Sequence, residues 1–172
     1  MEKMRMGKLL VCWLLLCGLS LLAGCREEEK GQAGAPREEL VYASTKDIRD
    51  INPHLYGGEM AAQGMVFEPL VINTAEGVRP WLAESWEISP DGRVYTFHLR
   101  RGVTFSDGTP FDAEAVRLNM DAIIANRLRH AWLDMINEIE SSKVVDEHTW
   151  RLHLRHPYFP ALIELGLSRP FR

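Results

Sequence analysis

Residues 86–99 read Trp-Glu-Ile-Ser-Pro-Asp-Gly-Arg-Val-Tyr-Thr-Phe-His-Leu. Pro90-Asp91-Gly92 is turn chemistry set between two apolar runs, the pattern of a β-hairpin. In the second run Tyr95, Phe97 and Leu99 share one face of an extended chain, while Val94, Thr96 and His98 share the other. A hairpin with one apolar face needs a partner to bury it. The sequence supplies one directly downstream. After the turn Ser106-Asp107-Gly108-Thr109-Pro110, Asp112 is a good helix N-cap. Val116, Met120, Ile123 and Ile124 then recur at i, i+4, i+7 and i+8, an amphipathic helical stripe.

Farther out, residues 143–145 and 149–154 flank Asp146-Glu147 as a second hairpin. Trp150, Leu152 and Leu154 face one way, and Arg151, His153 and Arg155 the other. Trp132, Met135, Ile136 and Ile139 lie at helical spacing, which predicts a second helix over 132–139. Pro160 suits the first turn of a last helix near 161–167. Upstream, residues 40–44 have strand composition, 60–67 read as a short helix ending before Pro69, and 70–73 as extended. The order is strand, helix, hairpin, two helices, hairpin, helix. That is a mixed α/β (α+β) layout with no strict βαβ repeat.

The N-terminus reads differently. Lys3, Arg5 and Lys8 precede an uncharged run over 9–23. The run is shorter than the roughly 20 apolar residues that span a bilayer, so residues 1–24 read as a removable signal peptide. Leu22-Ala23-Gly24-Cys25 resembles the lipobox of bacterial lipoproteins. That resemblance implies a diacylglyceryl group on the Cys25 thiol and cleavage just before it. Cys12 and Cys17 then leave with the signal, and Cys25 is capped. No thiol remains for nucleophilic, metal or redox chemistry. Residues 25–39 are charged, rich in small residues and aperiodic, and read as a flexible tether of about 20 Å r.m.s. reach.

The whole chain has 172 residues, with 20 Lys+Arg against 24 Asp+Glu. Without the signal, 17 basic and 23 acidic residues remain, a net charge of −6 over 148 residues. Such a balance gives no footprint for nucleic acid or for an anionic membrane surface. A chain of this size buries roughly 68–70% of its unfolded surface, enough for one core.

Catalytic signatures are missing. There is no phosphate loop, no His-Glu-x-x-His and no Gly-x-Ser-x-Gly. Asp107, Asp112 and Glu114 imitate a carboxylate cluster, but turn and cap roles account for the two aspartates. His98 and His153 lie on the polar faces of two strands and meet only if those strands are neighbours. A small exported metal-dependent hydrolase built on them is the alternative from another class. The chain reads as a non-enzyme without a resident metal or cofactor.

Several blocks resemble the extracytoplasmic solute-binding proteins of peptide and nickel ABC transporters. They are Asn52-Pro53-His54-Leu55-Tyr56 with Val66-Phe67-Glu68-Pro69-Leu70, Pro80-Trp81-Leu82-Ala83-Glu84-Ser85-Trp86, Asp91-Gly92 through Tyr95-Thr96-Phe97, and Phe105-Ser106-Asp107-Gly108-Thr109-Pro110-Phe111-Asp112-Ala113. Asn126-Arg127-Leu128-Arg129-His130-Ala131-Trp132-Leu133 and Ser168-Arg169-Pro170-Phe171-Arg172 are similar to the nickel-binding branch. The resemblance implies that residues 40–172 are part of the first lobe of a two-lobed periplasmic-binding-protein fold, with the second lobe absent from this chain. It implies a lipid-anchored, monomeric receptor on the extracytoplasmic face of the membrane or in the periplasm. Its ligand would be nickel held by a histidine-type chelator, and its partners the permease subunits of an ABC importer. A short peptide, as in the oligopeptide and dipeptide branches, is the alternative ligand. By motif position the ligand contacts would be Met60, Arg129, Trp132 and Arg169. Composition alone would make Met60 a core residue, the apolar helical stripe would bury Trp132, and Arg129 and Arg169 would be solvated; the motif match assigns them to a site.

Overall fold

A computed structural model describes residues 41–45, 47–55 and 59–171. The expected signal peptide (1–24) and the expected tether (25–39), Cys25 included, lie outside the described residues. The chain divides after Ala43, and the unit from Ser44 onward carries every element below.

The two hairpins expected from the sequence form one antiparallel sheet. Strands β3 (Ala83–Ile88) and β4 (Val94–Leu99) make the first, and β5 (Ile139–Asp146) and β6 (Thr149–Leu154) the second. They join through β4 and β6, giving the order β3-β4-β6-β5. Gly92 takes a φ of 70° in the first turn, where a side chain would be strained. Ser89 and Asp91 complete that turn. The Val94 amide donates to the Ser89 hydroxyl, and the Arg93 side chain donates to the Asp91 carboxylate.

The face alternation holds residue by residue. Tyr95, Phe97 and Leu99 are buried, as are Trp150, Leu152 and Leu154. Phe97 sits opposite Trp150 in register, with ring centroids 5.4 Å apart. The buried indole is not left unsatisfied, since it donates to the Ser142 hydroxyl at 2.8 Å. Helix α2 (Ala113–Ala125) covers this face at β5 and β6, burying Ala113, Val116, Met120 and Ile123. Its N-cap is Asp112, whose carboxylate accepts from the Ala115 amide at 2.8 Å.

A smaller hairpin pairs β1 (Val71–Thr74) with β2 (Gly77–Pro80). Helix α1 (Met60–Val66) precedes it, and α4 (Ala161–Leu165) packs on β1.

Three expectations change. Residues 41–44 belong to no strand and are exposed, because extended composition makes a strand only where a ladder partner exists. The helix expected over 132–139 contracts to α3 (Met135–Glu138). Ile139 instead pairs with Leu154 at the start of β5, so a cross-strand partner overrides helical spacing. Strand β2 is not among the expected elements, and β1 supplies its ladder partner.

Candidate ligand-binding site

Helix α1 buries Ala62 and Gln63 and leaves Met60, Met65 and Val66 exposed. Glu59 caps it by accepting from the Ala62 amide at 3.1 Å. The buried Gln63 amide donates to the Asn52 carbonyl at 3.2 Å, which fastens α1 to the 52–55 turn. Asn52 shapes that turn by accepting from the His54 amide at 2.9 Å. His54 in turn reaches α2, with Nε2 2.7 Å from Asn119 Oδ1, and packs edge-on against the His130 ring at 6.3 Å.

His130 lies in a run of single turns between α2 and α3. Arg129 donates to the Asn126 carbonyl, His130 to Arg127 and Leu133 to His130, each at about 3 Å through the backbone amide. The far end of this run is held from α4, where Glu164 accepts from the Met135 amide at 3.3 Å and from the Tyr158 hydroxyl. Burial first, then the Glu164 carboxylate, pushes the Tyr158 hydroxyl above its ordinary range. The segment that follows α4 returns to α1, where a Cβ placed on Gly64 would stand 3.7 Å from the Ser168 hydroxyl.

The contacts therefore close into a ring: α1, the 52–55 turn, the 126–134 run, α4 and the 168–171 segment. All four residues assigned by the motif stand on it. Met60 opens α1, Arg129 and Trp132 lie in the run, and Arg169 follows Ser168. Met60 is 49% exposed and Trp132 45% exposed, so neither is the core residue that composition, for Met60, and helical spacing, for Trp132, suggest. Arg129 is exposed and Arg169 half-buried. Two guanidinium groups with an exposed thioether and an indole suit a ligand that carries carboxylates and a flat or apolar surface.

The alternative histidine pair fails on register. Strands β4 and β6 are neighbours, but His98 opposes Thr149 and His153 opposes Val94. Four residues along a strand separate them by about 13 Å. Among the described residues no three His, Cys, Asp or Glu side chains group to hold a metal ion. Asp107 accepts from the Thr109 amide and hydroxyl, and Glu114 pairs with Arg117, so the apparent carboxylate cluster is turn and helix chemistry. An apolar cavity of about 260 Å³, lined by Phe67, Leu70, Phe105, Phe111 and Phe171 among others, involves none of the four candidate residues.

Sequence reasoning missed what supports the site. His54, Asn119, His130 and Glu164 hold the ring, yet no spacing rule joins residues so distant in the chain.

Comparison with known proteins follows the same lines. The profile of bacterial extracellular solute-binding proteins, family 5 Middle, matches residues 77–170. A nickel-binding periplasmic protein of Escherichia coli is 48% identical over 142 residues, covering 81% of this chain and 27% of the relative. A dipeptide-binding protein of the same organism is 31% identical and covers 90% of this chain and 32% of the relative. NikA from Brucella suis, solved in complex with Fe(III)-EDTA, superposes with a TM-score of 0.72 at 53% identity, over 73% of this chain and 26% of that one. The chain thus spans about a quarter to a third of the length of these relatives. With the profile matching more than half of its residues, the chain belongs to the bacterial extracellular solute-binding proteins of family 5.

Proposed function

We propose that this chain is part of a lipid-anchored receptor that captures nickel as a small chelate and passes it to an ABC importer. Met60, Arg129, Trp132 and Arg169 contact the chelate on the lobe described here. The observation that supports this reading is the ring of contacts that brings the four residues onto neighbouring segments, with Met60, Arg129 and Trp132 exposed and Arg169 half-buried. The likeness to the E. coli nickel-binding protein supports the choice of metal. The guanidinium groups would pair with the chelator's carboxylates, and the indole and thioether would pack on its remaining surface. The protein recognises the chelator, so the metal arrives with its own ligands. Lipid on Cys25 would keep the receptor at the extracytoplasmic face of the membrane.

A short peptide is the second reading, favoured by the match to the dipeptide-binding protein over 90% of this chain. Calorimetry on the full-length protein expressed from its gene separates the two. Nickel with L-histidine is expected to bind, while nickel alone and dipeptides are not. Peptide binding without chelate binding would overturn the nickel reading.

A further inference from the structure

The run of turns that carries Arg129 and Trp132 buries few of its side chains. From Arg127 to Asp134 every residue is exposed except His130 and Leu133. Leu133 is an ordinary apolar anchor. His130 is not, for it is only 2% exposed and its Nε2 finds no hydrogen-bond partner among the described residues. Burying an unsatisfied imidazole nitrogen is costly where an apolar side chain would bury freely. What His130 packs against is a second imidazole, His54, edge to face at 6.3 Å. His54 is itself fixed, since its Nε2 donates to Asn119 Oδ1 on α2. Its Nδ1 is also buried without a partner among the described residues.

We propose that the buried His54–His130 pair is the clasp that positions Arg129 and Trp132 for ligand, and that it loosens when the His130 ring gains a proton. His130 is adjacent to Arg129 and two residues from Trp132, so its ring sets where both side chains project. The inference rests on the chelate-binding reading of those two residues. The groups that act on His130 are His54 from the 52–55 turn and Arg129 beside it in the chain, and each repels a charge on His130. Burial first, then these two, lowers its pKa from the ordinary 6.5. The folded state therefore resists protonation. The clasp is intact above about 6.5 and weakens as pH falls through the window below it.

The test uses the full-length protein with Fe(III)-EDTA as probe, a chelate that keeps its metal across mildly acidic pH. His130→Ala should weaken binding at least tenfold at pH 7.5, and His130→Phe, which restores a ring without a proton site, should recover most of that loss. Wild-type affinity should fall several-fold between pH 6.5 and 5.5, and the fall should be absent from His130→Phe. Equal pH profiles for wild type and His130→Phe, or no rescue by Phe, would overturn the clasp. A ligand-free measurement keeps the two readings apart. Tryptophan emission of the wild type should change over the same pH window, and the change should be missing from both His130→Phe and Trp132→Phe. If the wild type binds no chelate but this signature is present, the chelate reading fails and the clasp stands. If the signature is absent or survives in His130→Phe, the clasp fails, whatever the ligand.

Discussion

Arg129 and Arg169 are the residues on which the binding proposal turns. A hydrogen bond to a charged group contributes roughly 1.5–3 kcal/mol. Replacing either arginine by Ala should therefore weaken nickel–histidine binding by about 10- to 100-fold in calorimetry, and the exposed Arg129 should do so with thermal stability little changed. A second prediction concerns Asp91, which the Ser89 hydroxyl and then Arg93 hold down to about 2. Its folded pKa lies below the ordinary 3.8, so the turn gains support from the carboxylate above that value and loses it as pH falls toward 2. Ser89→Ala should move the Asp91 titration upward in an NMR pH series. At this scale the sequence was uneven. Asp112 announced its cap and Gly92 its turn, because both roles are local. Trp132 was ambiguous, because helical spacing implied a buried stripe that the irregular run from 126 to 134 does not form.

Among the elements, the paired strands β4 and β6 carry the core. Phe97→Ala or Trp150→Ala should destabilise the fold by about 3–5 kcal/mol, read from denaturant melts. The period-2 alternation made both strands legible, and the i, i+4, i+7 stripe did the same for α2. Strand β2 and the short α3 were not legible, because their boundaries depend on pairing partners. Ile139 shows this most clearly, since its spacing is helical but its ladder partner Leu154 draws it into β5. The ring beneath the site was hidden for the same reason. His54 and Asn119 lie 65 residues apart in sequence, and Met135 and Glu164 lie 29 apart.

For the whole molecule, the family assignment and the site reading draw on different parts of the sequence. The profile match begins at residue 77, so it includes Arg129, Trp132 and Arg169 but not Met60. Cys25 lies outside the described residues and its role rests on sequence alone. Cys25→Ser should release the mature protein from the membrane fraction, seen by fractionation and loss of lipid labelling. On the reading proposed above, this lobe grips a metal chelate through the chelate's carboxylates. A crystal structure of the full-length protein with nickel and L-histidine tests it most directly. Chelate carboxylates are expected within hydrogen-bond distance of Arg129 and Arg169, with the Trp132 ring and the Met60 thioether against the complex. A chelate bound elsewhere, with both guanidinium groups turned away from it, would contradict the claim.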